Sequence, residues 1–257
     1  MAEHTTHVIV VGDPGVGKST FLNSLVGAAT FQSGLSAVQG LTKELQSVVI
    51  NGTRYSDTPG LDDTRLKKQA AAAIVEAVRL GGEVKLVFLL KMEAGRLCPK
   101  HLTTIKIVLD ALQNAEIAVD ESFGVVFNKL TPGEKNLWTS KMSTADAVNL
   151  LTEEIGLTNA KPQLIRFLPN EPALEDADNG VHPERQALVG FIDELKCITV
   201  PPGTTIEVDA TSIPVVQKEI EARLTAHRRK RDILGEVLVG AVGAFAGGAA
   251  ATGALLM

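Results

Sequence analysis

Apolar positions along this chain follow two alternating rhythms, short unbroken runs and runs at helical spacing, as far as about residue 198. Val8-Ile9-Val10-Val11 is an apolar run of buried-strand length, and Ser19 to Val26 continues as a helix. Ala28 to Thr42 has no clean period and is rich in Ser, Gly and Gln, as a loop is. Lys43 to Ile50 and Thr53 to Ser56 flank Asn51-Gly52, the dipeptide that supplies two positive-φ positions for a type I′ hairpin. Leu66, Ala70, Ile74, Ala77 and Val78 then repeat at helical spacing, which predicts a helix from Asp63 to Leu80 closed by Gly81-Gly82.

Val84 to Met92 is nearly all apolar and reads as a buried strand. Pro99 suits a first helical turn, and Leu102, Ile105, Val108, Leu109 and Leu112 carry the helix behind it. Phe123 to Asn128 is the next strand. Ser143 caps a helix through Ile155 that Gly156 ends, Gln163 to Leu168 is a strand, and Pro183 opens a helix bearing Leu188, Phe191, Ile192 and Leu195. Such alternation predicts an α/β fold, a mainly parallel sheet with helices on both faces and ligand loops at the carboxyl ends of its strands.

Val200 to Thr211, with its Pro, Gly and Thr, reads as the connector that ends this domain. Beyond it Val216, Ile220 and Leu224 form a thin apolar stripe on a charged helix, too narrow for a core and wide enough for a partner. The expected organisation is a domain over 1–198, a linker over 199–212, a charged amphipathic helix over 213–232 and an apolar Gly/Ala-rich tail over 233–257.

The chemistry sits between the first strand and the first helix. Gly12-Asp13-Pro14-Gly15-Val16-Gly17-Lys18-Ser19 is a complete G-x-x-x-x-G-K-[ST] phosphate loop in its strand-to-helix context. Its glycines let the backbone turn tightly and aim N–H groups at phosphate oxygens. The Lys18 ammonium should reach the β and γ phosphates, and the Ser19 hydroxyl, next to Thr20, should ligate Mg²⁺. Asp57-Thr58-Pro59-Gly60 places a carboxylate at a strand end beside a glycine whose N–H could meet a γ-phosphate.

A net charge of −5 argues against a nucleic-acid surface over the body of the chain, although Arg228-Arg229-Lys230-Arg231 gathers four positive charges near its end. Cys98 and Cys197 make neither a disulfide framework nor a metal spacing; both read as buried or inert, in a reducing compartment. Met1 to His7 has no secretory pattern, so cytoplasmic synthesis is expected.

Over residues 6 to 198 these elements resemble a guanine-nucleotide switch protein of the AIG1 type, the family of the GTPases of immunity-associated proteins, related to septins and chloroplast import GTPases. The resemblance rests on the phosphate loop, on Ser33-Gly34-Leu35-Ser36-Ala37 running to Thr42-Lys43-Glu44, on Asp57-Thr58-Pro59-Gly60-Leu61, and on Gly95-Arg96. It implies GTP/GDP with Mg²⁺, Thr42 sensing the metal and the γ-phosphate, and Asp57 holding a metal-bound water. It also implies a homodimer or oligomer in the GTP state, with Arg96 either working across that dimer or remaining a solvated loop arginine.

Two departures qualify the resemblance. The base-reading N-K-x-D element stands here as Asn128-Lys129-Leu130-Thr131, without the carboxylate that would accept both guanine N–H groups; Glu134 or Asn170-Glu171 could supply an acceptor. Leu61 stands where many small GTPases have a water-orienting glutamine, so intrinsic hydrolysis should be slow. Asp62 and Asp63 read as a helix start, and His101, beside Lys100 in a first helical turn, as solvated.

Val237 to Met257 is 21 residues without charge, close to the length of a membrane-spanning helix, with a Gly243–Gly247 spacing suited to close helix approach and the basic cluster as a cytoplasmic flank. A tail anchor facing the cytosol is one reading, and a small-residue tail that packs on a partner is the other. For the whole chain, a slow GTPase controlling assembly competes with a non-hydrolysing nucleotide-binding scaffold, and an ATP-using P-loop kinase fits the Asp57 element less well.

Overall fold

The computed structural model describes residues 6–33, 45–59, 74–80, 82–140, 142–157, 160–175, 179–201, 203–209 and 211–227. Strand β1 (Thr6–Val11) leads into helix α1 (Lys18–Val26), and β2 (Gln46–Ile50) and β3 (Thr53–Asp57) form a hairpin. Helix α2 is described over 74–79, followed by β4 (Gly82–Leu90), α3 (Pro99–Asn114), β5 (Phe123–Leu130), α4 (Pro132–Ser140), α5 (Thr144–Ile155) and β6 (Leu164–Pro169). The chain continues through α6 (Pro172–Glu175), α7 (Arg185–Glu194), β7 (Ile198–Val200) and α8, described over 213–227.

One sheet joins all seven strands in the order β2-β3-β1-β4-β5-β6, with β7 paired to β4 off that path. β1, β3, β4, β5 and β6 run parallel, and β2 and β7 are antiparallel to their partners. The hairpin turn is the one its sequence dictates: Asn51 and Gly52 take φ of 50° and 76°.

The two faces of the sheet separate residue by residue along β1. Ile9 and Val11 join Leu86, Phe88, Val125 and Phe127 beneath α2, α3 and α5, whereas Val8 and Val10 join Val87, Leu89 and Val126 beneath α1 and α7. Helix α5 begins as its sequence indicates, with the Ser143 hydroxyl accepting from Asp146 N and the Asp146 carboxylate reaching back to Ser143 N, and Gly156 ends it in the left-handed region.

The chain after residue 198 departs from the expected linker and free helix. Ile198, Val200 and Ile206 are buried in the same cluster as α3 and α5, and so are Ile220 and Leu224 of α8. The stripe of α8 is therefore covered by the chain's own core rather than left for a partner. Its far end is fastened by His227 Nδ1, 3.2 Å from Glu154 Oε1 of α5, and the Arg223 guanidinium lies across Gly156, in the space a side chain there would need.

Candidate nucleotide site

Five of the strands run parallel, so the loops that follow them gather at one edge of the sheet, and the expected nucleotide residues that the structure describes lie in or beside those loops. Gly12, Asp13, Pro14, Gly15, Val16 and Gly17 form the turn between β1 and α1, with Lys18, Ser19 and Thr20 as the first turn of the helix. Gly12 is required by close approach, because a Cβ there would strike the Leu89 carbonyl oxygen of β4. Gly17 is the N-cap residue at φ 95°, and a Cβ there would stand 2.6 Å from Asn128 Nδ2.

With glycine as its N-cap, α1 begins with no side-chain cap and no acidic residue in its first turn. Its first N–H groups and the helix dipole therefore suit an anion. Lys18 is almost fully buried beside them, its Nζ donating to the Gly12 carbonyl at 2.9 Å and the Asp13 carbonyl at 3.2 Å. Burial pushes this ammonium below the usual lysine value, while the carboxylates of Asp57 and Asp13 oppose the shift. A buried cation held on backbone carbonyls at an uncapped helix start is an arrangement that phosphate completes.

Asp57 ends β3 fully buried, and its Oδ2 accepts from Ser19 Oγ at 2.6 Å. The next residue, Thr58, is anchored through Oγ1 to the Val10 carbonyl at 2.8 Å, which fixes the end of β3 beside the phosphate loop. Ser19 and Asp57 together offer hard oxygen donors, the chemistry Mg²⁺ selects. Among the described residues no group of three or more His, Cys, Asp or Glu could hold a metal by itself. Thr42 and Gly60, together with Leu61, Asp62 and Asp63, lie outside the described residues, as do Arg228 to Arg231 and the Val237–Met257 tail.

Asn128 and Lys129 sit near the end of β5. Asn128 Nδ2 donates to the Val16 carbonyl at 2.9 Å, locking the base-side turn to the phosphate loop, and Lys129 lies over Gly17 in the left-handed region at φ 58°. Asn170, just after β6, joins the same edge, its N–H donating to the Leu130 carbonyl at 2.7 Å.

Thr131, where a base-reading carboxylate is missing, begins α4 instead. Its N–H and hydroxyl both donate to Glu134 Oε2 at 2.9 Å, and its Oγ1 accepts from Glu134 N at 3.2 Å. The other oxygen, Glu134 Oε1, accepts from Gly95 N at 2.7 Å. Both oxygens of this possible guanine acceptor are thus already engaged. Helix α4 itself is absent from the pattern of apolar positions, yet Thr131-Pro132-Gly133-Glu134 is a capping box with proline at N1, the signal that marks it.

Arg96 is exposed on the turn after β4 and makes no ion pair among the described residues. His101 departs from its expected solvated position: it is 6% exposed, with Nε2 3.6 Å from Asp13 Oδ2 and Nδ1 2.9 Å from the Lys91 carbonyl. Thr104, one helical turn on, donates to Asp13 Oδ1 at 2.9 Å. The second residue of the phosphate loop is thereby seated on α3. Both thiols are raised above the usual cysteine value by burial, Cys98 fully inside and Cys197 partly covered, in keeping with inert side chains.

Residues 7–129 match the family model described as 50S ribosome-binding GTPase, a stretch that runs from β1 through Lys129 and is just under half of the chain. No match was found among curated proteins. Among solved structures the chain is similar to Toc33 from Arabidopsis thaliana in complex with GDP and Mg²⁺, at 17% identity over 77% of this chain and 88% of that one, with a TM-score of 0.48. NFeoB from S. thermophilus bound to GDP·AlF4⁻ and K⁺ is similar at 13% identity over 75% of this chain and 62% of that one, with a TM-score of 0.44.

Proposed function

We propose that this chain is a GTP-binding protein that hydrolyses GTP slowly as a monomer and faster when two copies meet, and that its nucleotide state controls assembly. The observation that carries the reading is the phosphate loop: a helix start with no side-chain cap, a buried Lys18 on backbone carbonyls, and Ser19 bonded to Asp57. The match of residues 7–129 to a GTPase model supports guanine as the base and hydrolysis as the reaction.

In that reaction a water oxygen bonds to the γ-phosphorus as the bond to the β–γ bridging oxygen breaks, the electron pair leaves with GDP, and the water's proton passes to an oxygen of the released phosphate. Lys18 and the N–H groups of α1 hold the phosphate oxygens on which negative charge spreads, and Ser19 with Asp57 would hold Mg²⁺. Mg²⁺, when bound, supplies further neutralisation of the phosphate charge. Asn128 addresses the base from β5, with Lys129 covering its face. Arg96, exposed and without an ion pair among the described residues, is the cation offered to a second copy.

Cytoplasmic location with membrane attachment through residues 233–257 completes the proposal, on the sequence of that tail. Deleting Leu234 to Met257 should shift the protein from the membrane to the soluble fraction.

Competition among GTP, ATP and their diphosphates, followed by phosphate release across a range of protein concentrations, tests the main reading. GTP preference with a specific activity that rises with concentration is expected. Equal competition by ATP would overturn the guanine assignment, and nucleotide binding without turnover would assign the chain to the scaffolds.

A further inference from the structure

The turn that presents Arg96 is not a free loop. Glu93 and Arg96 exchange two backbone hydrogen bonds, 3.0 and 3.1 Å, across Ala94 and Gly95 at φ of 50° and 74°, which makes a tight two-residue hairpin. Such a turn is rigid internally, and the direction of its arginine depends on what holds its base and flank. One side-chain contact to its backbone comes from far along the sequence: Glu134 Oε1 accepts from Gly95 N at 2.7 Å.

Glu134 is held in turn from the other side. Its Oε2 accepts from Thr131 N and Thr131 Oγ1, both at 2.9 Å, and its own N–H donates to Thr131 Oγ1. Burial alone would raise its pKa, but the Thr131 and Gly95 hydrogen bonds hold the carboxyl below the usual glutamate value, so it is ionised at neutral pH. Hydrogen bonds to a charged acceptor are the stronger kind and define geometry well.

We propose that Glu134 is a positioning residue: its carboxylate ties the turn carrying Arg96 to the base-side turn Asn128–Thr131 and so sets the direction in which Arg96 meets a second copy. The Asn128–Val16 bond extends the same link to the phosphate loop. A cap that served α4 alone would use one carboxylate oxygen, whereas here the second oxygen reaches the neighbouring turn. The inference rests on the reading of Arg96 as an arginine supplied in trans.

A double-mutant cycle on full-length protein, with Arg96→Ala, Glu134→Ala and the two combined, tests the link. GTP affinity and the concentration-dependent hydrolysis rate are measured for each, and fluorescence of the single Trp138, buried on α4, reports folding. Glu134→Ala should lower the concentration-dependent rate by about tenfold or more while GTP affinity stays within about threefold, and should add nothing in the Arg96→Ala background. If Glu134→Ala fails to fold, Glu134→Asp takes its place: its shorter carboxylate can keep the capping box, as Asp146 does for Ser143, and no longer reaches Gly95. Losses that multiply in the double variant, or a rate unchanged by Glu134→Ala, overturn the proposal. A wild-type rate independent of concentration overturns it by a separate route, by removing the trans role of Arg96.

Discussion

Ser19 Oγ donates to Asp57 Oδ2 across 2.6 Å, joining the first turn of α1 to the end of β3 through two oxygens that Mg²⁺ would share. The contact ties two segments from different parts of the chain into one site. Removing either oxygen should act on the metal before it acts on the nucleotide. Ser19→Ala should therefore reduce the gain in GTP affinity on adding Mg²⁺ by roughly tenfold or more, with binding in chelator changed little. Titration of a fluorescent GTP analogue with and without Mg²⁺ checks this, and an undiminished Mg²⁺ effect would remove Ser19 from the metal site.

Much of this site could be read from the chain because it is local. The phosphate loop, the Asn51-Gly52 hairpin and the Ser143 and Gly156 helix ends each fit within a few residues, and each took its expected form. What could not be read was distant pairing. His101 follows Lys100 in a first helical turn, and nothing nearby announces that Asp13 will face it. The three residues of β7 are too few to show a period, and a stripe as thin as Val216, Ile220 and Leu224 does not disclose whether its groove belongs to a partner or to α5.

The pairing of His101 with Asp13 makes a signed prediction. Burial pushes the imidazole below its usual value, and the Asp13 carboxylate 3.6 Å away pulls it back. Asp13→Asn preserves an acceptor for Thr104 but removes the charge. The His101 pKa, followed by NMR across pH, should fall further in that variant; a rise would show that the Asp13 carboxylate does not hold the proton on the imidazole.

His7 is buried in β1 with Nε2 2.7 Å from Ser56 Oγ, and burial, with the Arg54 charge adding to it, lowers its pKa from 6.5 to about 4. Above pH 6.5 the imidazole is neutral whether the chain is folded or not, so its contribution to stability is fully present. As pH falls from 6.5 to about 4 the unfolded chain binds a proton that the folded chain refuses, and roughly 3 kcal/mol of stability is lost. Urea unfolding at pH 7 and pH 5 should show about 2 kcal/mol of this loss in the wild type, the remainder appearing toward pH 4, and His7→Gln should flatten it.

Helix α8 offers a test inside a single element. Ile220 is fully buried, whereas Val215 on the same helix is 61% exposed. Ile220→Ala should cost about 2–5 kcal/mol, and Val215→Ala should stay within about 0.5 kcal/mol. Equal and small losses in denaturant unfolding would mean that α8 does not belong to the folding unit of the sheet.

The last prediction concerns the base. A guanine-specific site commonly places a carboxylate at the position of Thr131, and aspartate is as good a helix N-cap as threonine, so α4 alone gives no reason for its absence. Glu134 gives one: its Oε2 lies 2.9 Å from Thr131 Oγ1, and a second carboxylate there would face the first at hydrogen-bonding distance with no proton between them. The chain therefore has a carboxylate that orders the Arg96 turn in a position incompatible with one that reads guanine. Thr131→Asp alone should destabilise the fold through this repulsion. Combining it with Glu134→Ala should relieve the repulsion and raise the preference for GTP over ATP by about tenfold or more, the worth of one two-point contact to a base edge. The same double variant should lose concentration-dependent hydrolysis, because the tie to Gly95 goes with the Glu134 carboxylate. Competition binding and phosphate release on one preparation measure both effects, and a variant that gained base preference while keeping its full concentration-dependent rate would separate the two roles assigned to this pair of turns.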